Sequence, residues 1–102
     1  MKLLTKELEA KLPPLYSQDG KGYEAIALAK FFTPDSNWTW YVTEYDPLER
    51  IFFGLVDGFE MELGYFSLDE LQSIIGSLGL SIERDIYFSP TKLSTLMQRN
   101  IL

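Results

Sequence analysis

Residues 52–71, FFGLVDGFEMELGYFSLDEL, constrain what this chain can fold into more than any other stretch. Asp57-Gly58 stands between two runs rich in aromatic and β-branched residues, the strongest short-range signal for a hairpin with a two-residue turn. The second run leads directly into Ser67-Leu68-Asp69-Glu70, a capping box. Its Ser67 hydroxyl and Glu70 carboxylate would satisfy the first free N–H groups of a helix. One short segment therefore specifies strand, strand and helix.

A two-residue turn sets the register: Val56 opposite Phe59, Leu55 opposite Glu60, Gly54 opposite Met61, Phe53 opposite Glu62 and Phe52 opposite Leu63. Cross-strand partners share a face, so one face would gather Phe52, Val56, Phe59, Met61 and Leu63 as core. The other would combine Phe53 and Leu55 with Glu60 and Glu62, an aromatic and acidic mixture. Trp38, Trp40, Val42 and Glu44 join this mixed face if the connection at 46–49 is a four-residue loop, and the opposite face if it has five residues. In either register the sheet is apolar on both sides. Two layers must then cover it, helices alone or helices and a partner subunit.

Elsewhere, Leu4, Leu8 and Leu12 at spacing four, with Thr5 as N-cap and Pro13-Pro14 as a stop, predict a short helix. Residues 15–22 read as a loop, in which Gly20-Lys21-Gly22 is a turn, too short for a phosphate-binding motif. Residues 23–32 read as a strand, and Trp38-Thr39-Trp40-Tyr41-Val42-Thr43-Glu44-Tyr45 as another. Alternation through 82–88 predicts a further half-buried strand. Ser89-Pro90 then reads as an N-cap and first-turn proline opening a last helix, with Leu93, Leu96, Met97 and Ile101 on one face. The expected fold is α+β in a single domain, 1–102. An antiparallel sheet of four to five strands, a meander through 23–66, would be covered by short N-terminal, middle and C-terminal helices.

The chain has no cysteine and no histidine, which removes disulfides, thiolate metal sites and the commonest general base. Serine and threonine nucleophiles are left without a partner base. No run approaches the length of a membrane span, and the first residues lack the apolar core of a signal peptide, so the expectation is a cytoplasmic protein with no membrane partner. On that expectation the sequon Asn37-Trp38-Thr39 is a chance match. The net charge of −6 divides unevenly, −8 over residues 35–70 and +2 over the flanks. Such an acidic middle disfavours direct nucleic-acid binding, and ordinary surface solubility accounts for it equally.

The candidate binding residues are Asp35, Trp38, Trp40, Glu44, Glu60 and Glu62. Glu60 and Glu62, with Asp57 or Glu44, have the oxygen chemistry to hold Mg²⁺, yet Glu-x-Glu is also what any strand with one solvated face shows. Neither a metal nor a cofactor is assigned. Trp38, Trp40, Tyr41 and Tyr45 are of the type that dominates recognition surfaces, and equally of the type that fills the core of small domains. The polar turn 33–37, framed by Phe31, Phe32 and Trp38, suits either a presented loop or a pinned strand end.

Lys2-Leu3-Leu4-Thr5, Leu12-Pro13-Pro14-Leu15-Tyr16, Lys30-Phe31-Phe32-Thr33-Pro34 and Ser36-Asn37-Trp38-Thr39-Trp40-Tyr41 together resemble a bacterial domain-of-unknown-function family. The likeness continues through Phe53-Gly54-Leu55-Val56, Gly58-Phe59-Glu60, Glu62-Leu63-Gly64-Tyr65-Phe66-Ser67 and Ile82-Glu83-Arg84-Asp85, nearly the whole chain. The resemblance implies a small stand-alone protein, of a kind often found on plasmids and integrative elements and without an established activity. It transfers no catalytic residue. The leading expectation is a non-catalytic accessory module that binds a protein partner, with a homodimer allowed. The alternatives are an acidic mimic of nucleic acid that occupies a DNA-binding protein, and a Mg²⁺-dependent nuclease or phosphoesterase.

Overall fold

The computed structural model describes residues 2–101, except for the side chains of 99–101. Thr5 caps α1 (Lys6–Lys11), its side chain accepting from the Leu8 N–H at 3.2 Å, and the helix stops at Leu12 before the two prolines. A short 3₁₀ turn (Gly22–Glu24) precedes β1 (Ile26–Ala27) and β2 (Ala29–Phe32). The meander β3 (Thr39–Asp46), β4 (Ile51–Asp57) and β5 (Met61–Ser67) follows, then α2 (Leu68–Ser73), β6 (Glu83–Arg84), β7 (Thr91–Lys92) and α3 (Leu93–Ile101). Five strands form one antiparallel sheet in the order β5-β4-β3-β2-β6, and β1 pairs separately with β7. This is the α+β architecture expected. Ser67 caps α2 as its position before the helix predicts, accepting from the Glu70 N–H at 3.2 Å.

The hairpin forms, but in a different register. Neither Asp57 nor Gly58 has the positive φ that a two-residue type I′ turn demands. Three residues, Gly58, Phe59 and Glu60, make the connection instead, and Asp57 faces Met61, Val56 faces Glu62, Leu55 faces Leu63 and Phe52 faces Phe66. A Cβ at Gly58 would fall inside the Trp38 ring, so the turn is shaped by an indole packed on its backbone. As a result Glu62 lies on the face of Phe52 and Val56, not with Phe53 and Leu55. Met61 and Leu63 change sides the other way, and Phe59, expected in the core, is 95% exposed.

A second departure sits in β3. The ladder with β4 slips between Val42 and Glu44, leaving Thr43 as a bulge whose Oγ1 donates to the Phe53 carbonyl at 2.9 Å. Trp40, opposite Val56, therefore shares a face with Tyr45 and Phe52, whereas Glu44, opposite Phe53, lies on the other. Neither loop length considered for the β3–β4 connection predicts this split. Where the ladder slips, a Cβ on Gly54 would overlap the Tyr41 carbonyl, so only glycine fits that position of the central strand.

Both faces are apolar and both are covered. On one, Phe31, Trp40, Val42, Tyr45, Phe52 and Phe66 pack with Leu3, Leu4, Leu68, Leu71 and Ile82. On the other, Tyr41 and Leu55 pack with Ala25, Ala27, Leu93 and Leu96, and Met97 lies against them. Each fully buried Phe or Leu side chain contributes about 1.5–3 kcal/mol, so two layers sharing one sheet suffice for a chain of this size. Ile101, the last member of the expected helical stripe, has its side chain outside the described residues.

The C-terminal third is less regular than its alternation predicts. The strand expected over 82–88 ends at Arg84 because the Asp85 carboxylate accepts from the Tyr87 N–H at 2.9 Å, an Asx turn that redirects the chain. Ser89-Pro90 does not open the last helix. Thr91 and Lys92 first pair with Ala27 and Ile26, and α3 begins at Leu93, whose N–H donates to the Ala25 carbonyl at 3.0 Å. The strand read over 23–32 is likewise divided at Leu28 between the two sheets. Among the described residues, no helix is long and apolar enough to cross a membrane.

Candidate functional site

Three loops meet at one end of the sheet: the β2–β3 loop, the β4–β5 turn and the segment 74–80 after α2. The first is held rigid by its own chain. Thr33 Oγ1 accepts from the Trp38 N–H at 3.0 Å and donates to the Trp38 carbonyl at 3.2 Å, while the Thr33 N–H donates to that same carbonyl at 3.0 Å. This clasp fixes the exit of Trp38, which alternates with Trp40 onto one face. Their rings stack with centroids 6.0 Å apart, and Phe59 meets Trp38 edge-on at 5.3 Å.

The third loop is a tight excursion closed by Gly76 N–H to the Leu80 carbonyl at 2.8 Å and Gly79 N–H to the Gly76 carbonyl at 3.0 Å, with Gly79 at φ +81°. It is tied to the first loop by Asp35. One carboxylate oxygen accepts from the Leu78 N–H at 2.8 Å, while the other is buried against Gly76 without a hydrogen-bond partner. Between the first and third loops lies a cleft of about 430 Å³, lined by Thr33, Ser36, Trp38, Trp40, Ile74, Gly76 and Ser77. Around it the 74–80 loop turns large apolar side chains outward, Ile75 at 66% and Leu78 at 77% exposed. Exposed apolar groups clustered beside a concave aromatic floor are characteristic of contact sites.

Three of the six sequence candidates, Asp35, Trp38 and Trp40, are thus brought together. Glu62 is exposed on the same face, in the row Trp40–Val56–Glu62, about 10 Å from Trp40 across two strand spacings. Glu60 is exposed in the turn beside Phe59. Glu44 is not part of this surface. It lies on the opposite face, 3% exposed, and accepts from the backbone N–H groups of Tyr16 at 3.0 Å and Gln18 at 2.7 Å. Gln18 completes that anchor, its amide donating to the carbonyls of Ile26 and Thr43 and accepting from the Ile26 N–H. The Tyr16 hydroxyl, hydrogen-bonded to Tyr65, holds the Tyr65 phenol above the ordinary tyrosine value. Glu44 therefore fastens the 14–19 loop to the sheet, with both of its buried oxygens satisfied by backbone N–H groups.

Sequence reasoning placed Phe59 in the core, and it read a helix over 68–75 followed by Gly76 and Gly79 as left-handed caps or turns. The helix ends at Ser73 and Gly79 does take a left-handed φ, but the exposed apolar side chains of this segment were not anticipated as part of a site. A signal existed, because Ile74-Ile75-Gly76-Ser77-Leu78-Gly79-Leu80 has the glycines of a turn with Ser77 as its one polar residue among apolar side chains. Among the described residues, no three carboxylates gather where they could hold a metal ion. Glu60 and Glu62, with Asp57 or Glu44, do not form the cluster that the Mg²⁺ reading needs.

No curated protein and no solved structure matches the chain. The family model described as a protein of unknown function, DUF2958, matches residues 3–99, nearly the whole sequence, and the chain belongs to that family.

Proposed function

We propose that this protein is a non-catalytic binding module that takes a protein partner in the cleft between the β2–β3 loop and the 74–80 loop, beside the Phe59 of the β4–β5 turn. One observation carries the reading. Trp38 and Trp40 stack on a rigid sheet while Phe59, Ile75 and Leu78 stand exposed around them, an arrangement of anchors and rim typical of contact surfaces. The partner's contribution is an apolar or aromatic side chain flanked by basic residues, since Glu60 and Glu62 border the apolar surface and the chain carries a net charge of −6. An accessory role on bacterial mobile DNA rests on the sequence resemblance.

The test is capture from the native cytoplasm with tagged wild-type protein, Phe59→Ser and Leu78→Ser in parallel, followed by affinity measurement on whatever is retained. A partner lost by both variants, with affinity falling only modestly between low and high salt, supports the cleft. Retention by both variants, with affinity falling steeply as salt rises, refutes it and favours the acidic mimic of nucleic acid.

A further inference from the structure

β5 is the edge of the five-stranded sheet, and its outer side is open. The Gly58 N–H to the Glu60 carbonyl and the Leu68 N–H to the Arg50 carbonyl extend the β4–β5 ladder at its two ends. Hydrogen-bonded and non-hydrogen-bonded pairs alternate in an antiparallel ladder. Glu62, Gly64 and Phe66 therefore exchange bonds with β4, while the backbone groups of Met61, Leu63 and Tyr65 point away from the sheet. Among the described residues, these three make no backbone bond to any other segment.

At the middle of this edge is Gly64. A Cβ built there meets nothing within 4 Å, and its φ lies outside the left-handed region, so nothing inside the chain requires glycine. Glycine weakens a strand and marks places where another backbone comes close. Gly54, its partner on β4, has an internal reason in the Tyr41 carbonyl. Gly64 has none.

We propose that β5 pairs with β5 of a second copy of this chain, antiparallel about a two-fold axis at Gly64. The register is self-complementary. Leu63 lies opposite the partner's Tyr65, Glu62 opposite the partner's Phe66 and Met61 opposite the partner's Ser67. All seven residues of the strand are used, and no like charges face each other. The outward groups of Leu63 and Tyr65 fall in hydrogen-bonded pairs, as their parity demands, and the two Gly64 residues form a non-hydrogen-bonded pair with Cα atoms about 4.5 Å apart. A register centred on Glu62 would oppose two carboxylates, and one centred on Leu63 would leave part of the strand unused. Opposed residues share a face, so the two tryptophan clefts open on the same side of a ten-stranded sheet and can engage a bivalent partner.

The chain has no cysteine, so a single introduced thiol reports this geometry directly. Gly64→Cys under mild oxidation becomes predominantly a covalent dimer. Glu62→Cys forms no covalent dimer, because its two copies would be about 13 Å apart along the strands, well beyond the roughly 7 Å a disulfide spans. In sedimentation of the unmodified chain, a dimer grows with concentration, is lost in Gly64→Glu, which opposes two carboxylates, and is retained in Gly64→Val. Equal cross-linking at both positions, no cross-linking at 64, or a monomer up to millimolar concentration overturns the proposal without touching the cleft.

Discussion

Replacing Glu44 by alanine separates a structural carboxylate from a recognition one. In the wild type, both Glu44 oxygens are used, accepting from the Tyr16 and Gln18 N–H groups at 3.0 and 2.7 Å. Hydrogen bonds to a charged acceptor contribute roughly 1.5–3 kcal/mol each, and both donors are partly buried, so some water reaches them once the carboxylate is gone. The expected loss is about 3–4 kcal/mol, a large fraction of the roughly 5–15 kcal/mol available to a domain of this size. At about 4 °C per kcal/mol, the melting temperature falls by roughly 12–16 °C. Glu44→Gln keeps one good acceptor and turns an NH₂ toward a backbone N–H, so it falls between, near about 2 kcal/mol. Urea unfolding followed by the fluorescence of Trp38 and Trp40 measures both variants, with an unchanged m-value as the sign that the folded state is otherwise intact. A Glu44→Ala loss below about 0.5 kcal/mol, the range of surface substitutions, would refute the anchoring role. So would loss of partner capture by Glu44→Gln at a temperature where that variant is fully folded.

Gly54→Ala drives a Cβ into the Tyr41 carbonyl of the neighbouring strand and is expected to cost about 1–3 kcal/mol or more by urea titration, since backbone must move. Phe59→Ser, at a position almost entirely in solvent, is expected to cost under about 1 kcal/mol while abolishing capture of a partner held by the cleft. Asp35→Ala removes the acceptor of the Leu78 N–H and is expected to speed amide exchange in the 76–79 turn selectively, with the sheet unaffected. Burial pushes the Tyr45 phenol above its ordinary value of 10.0, against the opposing pull of Arg50. The unfolded chain therefore ionises first as pH rises. This contribution to stability is complete below about pH 10 and is lost as pH climbs through the raised value, and Tyr45→Phe should flatten that alkaline limb of a denaturation series.

Elements whose cause is local were legible in the sequence. The caps at Thr5 and Ser67, the stop at Pro13-Pro14 and the aromatic run of β3 each depend on a few neighbouring residues, and each appears in its expected place. What failed depended on contacts between distant segments. Asp57-Gly58 is a strong hairpin signal, yet the turn type was decided by Trp38 resting on Gly58, nineteen or more residues away in the chain. The Thr43 bulge leaves no trace in an alternation already crowded with aromatics, and it alone moved Glu44 out of the tryptophans' company. The divided strand at Leu28 and the delayed start of α3 share one cause, the pairing of Ile26 and Ala27 with Lys92 and Thr91, which no local pattern announces. Of the site, the polar turn framed by aromatics and the turn glycines Gly76 and Gly79 were readable, whereas the exposure of Ile75 and Leu78 was not, because the apolar residues before Gly76 read as the end of a helix.

The extra residue at Thr43 makes β3 two half-strands with opposite loyalties. Restoring strict alternation by deleting it would rotate everything on its amino-terminal side by half a turn, sending the stacked indoles toward α3 and the Tyr41 ring to the face of Phe31 and Phe52. The outer half of the strand therefore commits Trp40 and Tyr41 to separate cores while the inner half turns Glu44 toward the amino-terminal loop, and one inserted peptide unit lets a single strand meet both demands.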